Sequence, residues 1–243
     1  MTGPLCEVLD WDSRFFDCRI GRVIGKTLNE VVLAEIISWA ADESIDCLYF
    51  LANEGDEVTC TLAKAAGFDL VDTRVTLESC PISRSPSHNN SAVSVRAFAS
   101  NDLATLRAIA RVSHRDSRFY HDGHFPHDRC DQLYDAWITK SCDGWADTVL
   151  VAEVDGKASG YVTCHVDGDR GGRIGLLAVD SQVHLLGIGR ELSNAALRWF
   201  SDHEVKRVSV VTQGRNAKAI QFYENCGFSL RHSSLWFHKW FRS

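Results

Sequence analysis

The chain has 243 residues, 45% of them hydrophobic, 24% charged and 10% aromatic, which is enough apolar material for a sizeable core and excludes a disordered, collagen-like or low-complexity chain. The length falls between one domain and two. With 26 Lys and Arg against 32 Asp and Glu the formal charge is −6, so no global positive field draws phosphate backbones or anionic lipid, and no nucleic-acid partner is expected. Nine cysteines lie scattered with no C-x-x-C pair, and their odd number reads as reduced, mostly buried thiols rather than a disulfide frame or a zinc site. Met1 to Asp12 is acidic and broken by Pro4, unlike a signal peptide, and no stretch approaches the roughly 18 apolar residues of a membrane span. A cytoplasmic protein away from the membrane is expected.

Ser83 to Ser91 is a run of turn formers with almost nothing to bury. It reads as a linker over 84–92 between a first half, 1–83, and a second, 93–243. Beyond it the periodicity predicts an amphipathic helix over Asp102–Ser113, capped by Asn101 or Asp102, and another over Arg129–Ser141. Strands follow at Thr148–Val154 and Ala158–Val166, joined by the hairpin signal Asp155-Gly156. A strand over Arg173–Val179 leads through a glycine-bearing turn into a helix from about Gly189 to Phe200. Lys206–Thr212 reads as a strand, Asn216–Asn225 as a helix stopped by Gly227, and Leu235–Phe241 as a last strand. This is an α/β (α+β) order with a mixed sheet. The seven tryptophans are expected mainly in the core, with Trp236 and Trp240 on one face of the last strand.

The first half repeats part of this order. Moving Ser38–Asp72 forward by 227 − 67 = 160 positions sets Trp39 on Trp199, Asp42 on Asp202, Gly67-Phe68 on Gly227-Phe228 and Leu70 on Leu230. Arg19-Ile20-Gly21 falls on Arg173-Ile174-Gly175 at an offset of 154, so the first half lacks 160 − 154 = 6 residues where the second carries its glycine turn. Duplication and convergent patterning both fit so few identities.

That turn, V-H-L-L-G-I-G-R-E-L from Val183 to Leu192, follows a strand and opens a helix. Gly187 and Gly189 allow a ligand close to the backbone, and the first helical amides have no partner within the helix, which suits an anion such as a pyrophosphate. A tight connection that uses glycine for packing fits equally well. The spacing is neither a dinucleotide fingerprint nor a phosphate loop.

The order L-L-A-V-D-S-Q-V-H-L-L-G-I-G-R-E-L, strand, N-A-K-A-I-Q-F-Y-E-N-C-G-F, strand resembles the acetyl-CoA-binding half of the Gcn5-related N-acetyltransferase (GNAT) superfamily. The resemblance implies a GNAT fold: a mixed, mostly antiparallel sheet with a splayed central strand pair, here preceded by a partial GNAT-like first half without catalytic function. It implies that acetyl-CoA is the cosubstrate and that its pyrophosphate lies at the loop His184, Leu185, Leu186, Gly187, Ile188, Gly189 and Arg190, mostly on the amides of Leu186 to Arg190. His184 stands where the family usually has Arg or Gln, and Leu185 where it often has a further glycine. The strand Ile174–Val179 would carry a bulge, with backbone near Leu177 and Val179 pairing the pantetheine arm and one amide stabilising the oxyanion. Asn216 matches a cofactor-touching asparagine, and a plain N-cap is its structural alternative. Tyr223 matches the tyrosine that protonates the departing thiolate, a core aromatic being the alternative. On the repeat Tyr223 falls on Ala63, so the first half could not perform this step.

Within the superfamily, D-W-D-S-R-F-F (Asp10–Phe16), D-S-R-F-Y-H-D-G-H-F-P (Asp116–Pro126), R-I-G-L-L-A (Arg173–Ala178), Thr212-Gln213 and the aromatic C-terminal strand are similar to acetyltransferases of dTDP-linked deoxyamino sugars. That implies a nucleotide-linked amino sugar as acceptor. Arg118, Phe119 and His121 are its candidate contacts, since arginine can clamp a diphosphate and an aromatic ring can stack on base or sugar. A surface loop with its aromatic residues tucked inward is the plainer account. The amine would attack the thioester directly, with a held water, Glu153 or His165 as candidates for its proton. Neither Cys164 nor Cys226 has an evident histidine partner, so neither is assigned as nucleophile. No metal is expected despite the histidines, because no carboxylate or cysteine stands at ligand spacing. An unpaired edge strand and the aromatic last strand are plausible homodimer surfaces. An amine acceptor of another kind, or a CoA-binding module without turnover, are the competing functions.

Overall fold

A computed structural model describes residues 4–81, 92–183 and 187–241. The linker 84–92 lies outside these residues except for Ala92, as do His184, Leu185 and Leu186. The first half runs β1 (Cys6–Val8), α1 (Asp10–Phe16), β2 (Ile20–Val23), α2 (Glu30–Asp42), β3 (Cys47–Asn53), α3 (Glu57–Ala65) and β4 (Asp69–Ser79). The second runs β5 (Ser94–Ala97), α4 (Leu103–Ser113), α5 (Arg118–His121), α6 (His127–Lys140), β6 (Thr148–Val154), β7 (Lys157–Asp167), β8 (Gly171–Val179), α7 (Ile188–Asp202), β9 (Arg207–Gln213), α8 (Ala217–Asn225) and β10 (Ser229–Trp240).

All ten strands form one sheet in the order β1-β2-β3-β10-β4-β9-β8-β7-β6-β5. Only β2/β3 and β8/β9 are parallel, so the sheet is mixed and mostly antiparallel. Each half lends its last strand to the other. β10 lies between β3 and β4, and β4 lies between β10 and β9. The cores follow this exchange. Val75 and Leu77 of β4 pack with Leu192, Phe200 and Phe228 of the second half, while Phe237 of β10 packs with Ile36, Phe50 and Phe68 of the first. A third cluster, under α1, α4, α5 and α6, joins Phe16 and Tyr49 to Leu106, Phe119, Phe125, Leu133 and Tyr161.

Helix α3 begins at Glu57 and α8 at Ala217, a separation of 217 − 57 = 160, and both helices have nine residues. Their caps repeat as well: the Asp56 carboxylate accepts the Thr59 amide at 3.0 Å and the Asn216 side-chain oxygen accepts the Ala219 amide at 2.9 Å. The parallel pairs correct the other offset. Cys47 and Arg207 are 207 − 47 = 160 apart, but their partners Ile20 and Gly171 are 171 − 20 = 151 apart, so the second half is longer by 160 − 151 = 9 residues rather than 6. This alignment superposes Gly21-Arg22 on Gly172-Arg173. A Cβ would lie 2.9 Å from the Trp39 ring at Gly21 and 2.7 Å from the Phe200 ring at Gly172, so in both halves glycine lets an aromatic residue of the following helix close on the strand.

Three expectations change in detail. Asp102 does not cap α4 through its side chain; its buried carboxylate instead receives both Arg96 terminal nitrogens and the Ala99 amide. The last strand starts at Ser229, six residues (235 − 229 = 6) before the apolar alternation begins, because β4 pairs its polar N-terminal part. No tryptophan is fully buried, and Trp11 and Trp145 are exposed. None of the nine cysteines forms a disulfide, and six are buried.

Candidate active site

Strand β8 positions the site by leaving its neighbour. Its pairing with β9 covers only Gly171–Ile174 against Arg207–Val210, and beyond Ile174 its edge toward β9 is unpaired. β9 turns instead to β4, from Ser79↔Val208 to Arg74↔Gln213. On its other side β8 carries one extra residue, since between Val162↔Leu177 and Cys164↔Ile174 the single residue Thr163 faces both Gly175 and Leu176. Thr163 Oγ1 accepts the Leu176 amide at 2.8 Å in the space that a side chain at Gly175 would fill.

A cavity of about 250 Å³ opens in this splay, lined by Gly175, Leu176 and Leu177 of β8, Val210–Gln213 of β9, Asn216, Ala219 and Tyr223 of α8, and Ser113, His114, Asp116, Tyr134 and Trp137. At the splay, Leu177 lines the cavity while Val179, paired to Gly160, does not. The turn after β8 delivers Gly187 at φ 67° as the N-cap of α7, with open space where a Cβ would stand. The amides of Ile188, Gly189 and Arg190 are the first of the helix and have no intrahelical acceptor. The Ile188 side chain is buried in the core, so only its backbone can serve a ligand. At Gly189 a Cβ would lie 3.2 Å from the Phe222 ring, so this glycine also allows α7 to approach α8. The first amides of α7 and the unpaired β8 edge leave backbone groups that a ligand could pair.

Tyr223 is buried between Phe222 and Phe228 and lines the cavity. Burial, followed by the Cys226 thiol, pushes its phenol well above the usual value, so it holds its proton. Asn216 caps α8 and also lines the cavity. His114 was passed over in the sequence. It sits half-buried at the cavity wall, stacked on Tyr134 at 4.5 Å, with Nε2 3.3 Å from the Tyr161 hydroxyl. Burial pushes it down to about 4, so at neutral pH it is an uncharged imidazole. The other candidates for the amine's proton fare differently. Glu153 is ion-paired with Arg96 at 2.9 Å and lines neither cavity of the site. His165 is buried against Trp145 beneath Gly175, and its Nε2 has no hydrogen bond.

Tyr134, Trp137, Val211, Thr212 and Gln213 are shared with a second cavity of about 210 Å³, whose other walls are Asp72 and Arg74 of β4, Ser117, Arg118, Phe119 and Trp236. Arg118 is fixed there. Its carbon centre lies over the rings of Tyr49 at 4.2 Å, Trp236 at 4.2 Å and Phe119 at 4.4 Å, and Nη1 donates to His238 Nε2 at 2.5 Å. His238 in turn donates from Nδ1 to Asp122, which also accepts Trp240 Nε1 at 3.0 Å and His124 Nδ1 at 2.8 Å. Burial opposes the charge of Asp122, and these bonds more than offset it, holding the carboxyl well below its usual range. Phe119 lines the cavity with a ring that belongs to the core, 4% exposed. His121 is exposed and lines neither cavity, because the one-turn helix α5 directs it away from Arg118 and Phe119. Burial pushes the Asp72 carboxyl up to about 6, with Arg215 at 3.5 Å offsetting part of the cost. Folding also joins three possible metal ligands that spacing could not reveal, Cys47, Asp122 and His238, within 4.8 Å of one another; both ring nitrogens of His238 are already used.

Residues 109–228 match the model of the acetyltransferase (GNAT) family. A GCN5-related N-acetyltransferase from Sphaerobacter thermophilus superposes with a TM-score of 0.69 at 13% identity, over 98% of this chain and 76% of that one. The fold is that of the GNAT acetyltransferases. A tandem GNAT protein of the clavulanic acid biosynthesis pathway superposes with a TM-score of 0.63 at 13% identity, over 91% of this chain and 75% of its own. A GCN5-related glucosamine N-acetyltransferase region of a fungal GH3 β-N-acetylglucosaminidase gives 0.60 at 13%, over 96% of this chain and 30% of that protein. No curated protein matches the sequence. Among the described residues no helix is long and apolar enough to cross a membrane.

Proposed function

We propose that this protein is an N-acetyltransferase that moves the acetyl group of acetyl-CoA to the amino group of a nucleotide-linked deoxyamino sugar of the dTDP type, with the second half, 93–243, carrying the chemistry. The GNAT fold supports acyl transfer from acetyl-CoA in general. The observation that carries the reading is the cavity lined by the bulged β8 edge, Tyr223 and His114, which shares five wall residues with a compartment lined with arginine and aromatic side chains.

Acetyl-CoA, when bound, supplies the activated acyl group as a thioester. The amides of Ile188, Gly189 and Arg190 would hold its pyrophosphate, and the unpaired β8 edge near Leu177 and Val179 its pantetheine arm. A backbone amide of the bulge would donate to the thioester carbonyl and favour charge developing there. As the amine nitrogen bonds the acyl carbon, its proton would leave through a water held in the cavity beside the uncharged His114. The Tyr223 hydroxyl would give its proton to the sulfur as the carbon–sulfur bond breaks. Tyr223 keeps its proton in the buried site, as an acid must.

The test is release of free thiol from acetyl-CoA in the presence of dTDP-linked amino sugars, polyamines and peptides. Turnover fastest on the nucleotide-linked sugars is the expected result. Turnover confined to polyamines or peptides overturns the acceptor, and CoA binding with no thiol release on any amine overturns the enzymatic reading.

A further inference from the structure

The chain is acidic overall, which is a poor match for an anionic acceptor, but the second cavity has the opposite character. Arg74 and Arg118 both line it, and among the described residues neither has a carboxylate at ion-pair distance. Arg74 is half-buried, burial disfavours its charge, and its one hydrogen bond is from Nη1 to Thr76 Oγ1 at 3.1 Å. Arg118 spends one N–H on the neutral His238 and leaves the rest of its fork available. The lining carboxylate, Asp72, is already paired with Arg215. A third group points the same way. Ser117 is 3% exposed, lines the cavity and has no hydrogen bond at Oγ; it lies beside the Tyr134 phenol without reaching bonding geometry. Two desolvated guanidinium groups and a buried hydroxyl with unused capacity are costly unless something pairs with them.

We propose that Arg74, Arg118 and Ser117 form an anion subsite that holds a phosphate group of the acceptor, and that through Arg74 the first half takes a direct part in substrate recognition. This rests on reading the second cavity as the acceptor's side of the active site. Arg118 is pre-positioned by the aromatic rings and by His238, so little conformational freedom is lost when the anion arrives. Arg74 reaches the cavity only because β4 is the strand that crosses into the second half, between β9 and β10.

The experiment is calorimetric titration of inorganic pyrophosphate into the full chain saturated with CoA, so that the α7 amides are occupied. Malonate is titrated in parallel as a carboxylate probe. Pyrophosphate is expected to bind, with affinity reduced about tenfold or more in Arg74→Gln and partly restored in Arg74→Lys, while CoA affinity stays the same and reports an intact fold. In turnover, Arg74→Gln is expected to raise the KM of phosphate-bearing acceptors more than that of amines that carry no phosphate. Equal pyrophosphate affinity in wild type and Arg74→Gln overturns the inference, as does failure of the wild type to bind pyrophosphate. Malonate binding more tightly than pyrophosphate overturns phosphate as the ligand group. Arg74-dependent pyrophosphate binding in a protein that acetylates no amine would support the subsite and remove the proposed activity instead, so the two failures are distinct.

Discussion

Replacing Gly175 by alanine should loosen the whole site from a position that no ligand touches through a side chain. The added Cβ would stand 2.6 Å from His165 Nε2 and 2.7 Å from Thr163 Oγ1, well inside contact distance. Neither neighbour can swing into solvent, since His165 is 3% and Thr163 0% exposed. Overpacking of this kind costs about 1–3 kcal/mol. Pushing the Thr163 hydroxyl aside also breaks its bond to the Leu176 amide and adds about 0.5–1.5 kcal/mol. Together these predict about 1.5–4.5 kcal/mol, a large share of the roughly 5–15 kcal/mol of an ordinary domain. Urea unfolding should show this as a lower midpoint at unchanged slope. Gly25→Ala is the matched control: a Cβ there has nothing within 4 Å, and its stability should stay within about 0.5 kcal/mol of wild type. If Gly175→Ala proved as stable as that control, the bulge would not be the tightly packed device described here.

The other predictions concern the chemistry and its pH dependence. Tyr223→Phe should lower kcat by about 10²–10⁴ while CoA affinity changes less than twofold, and an unchanged kcat would remove the phenol as the acid. Gly187→Val puts a β-branched residue at φ 67° and covers the first amides of α7, so acetyl-CoA affinity should fall more than about tenfold; normal binding would show that the turn does not hold the cofactor. His114 titrates near 4 in the fold against 6.5 when unperturbed, so the unfolded chain binds the proton more readily and stability is lost as pH falls from 6.5 through 4. His114→Phe should flatten that acid limb, leaving the part due to the other histidines that burial pushes down, His165 and His238 among them. Equal pH dependence of the urea midpoint in both proteins would refute this burial effect.

What could be read in the sequence was local. The Asp155-Gly156 hairpin has φ values of 49° and 75°, the left-handed turn that its dipeptide favours, and β6, Thr148–Val154, ends where that turn begins. The 160-residue spacing survives in helix lengths and caps because Asp56 and Asn216 solve the same problem at two N-termini. The shorter match at 154 failed because a three-residue identity in a strand says little about register. His114 could not be chosen from among four neighbouring histidines, since what distinguishes it, stacking on Tyr134 and closeness to Tyr161, comes from α6 and β7. His121, seven residues further on, ends exposed.

The exchange of β4 and β10 ties the first half into the structure of the second. Helix α3 places Ala63 where α8 places Tyr223, and the stretch between β2 and β3 is nine residues shorter than its counterpart between β8 and β9. A GNAT half with its own final strand would need no companion. Here β9 finds its partner in β4, along six residue pairs from Arg74 to Ser79, and those pairs keep β9 directed away from β8. The same strand sets Asp72 and Arg74 in the wall of the second cavity, while β10 sets Trp236 and His238 against Arg118 from the opposite side. The splay between β8 and β9 and the compartment beside it therefore depend on β4 and β10, two strands that begin 229 − 69 = 160 positions apart, and the first half supplies part of the site's structure.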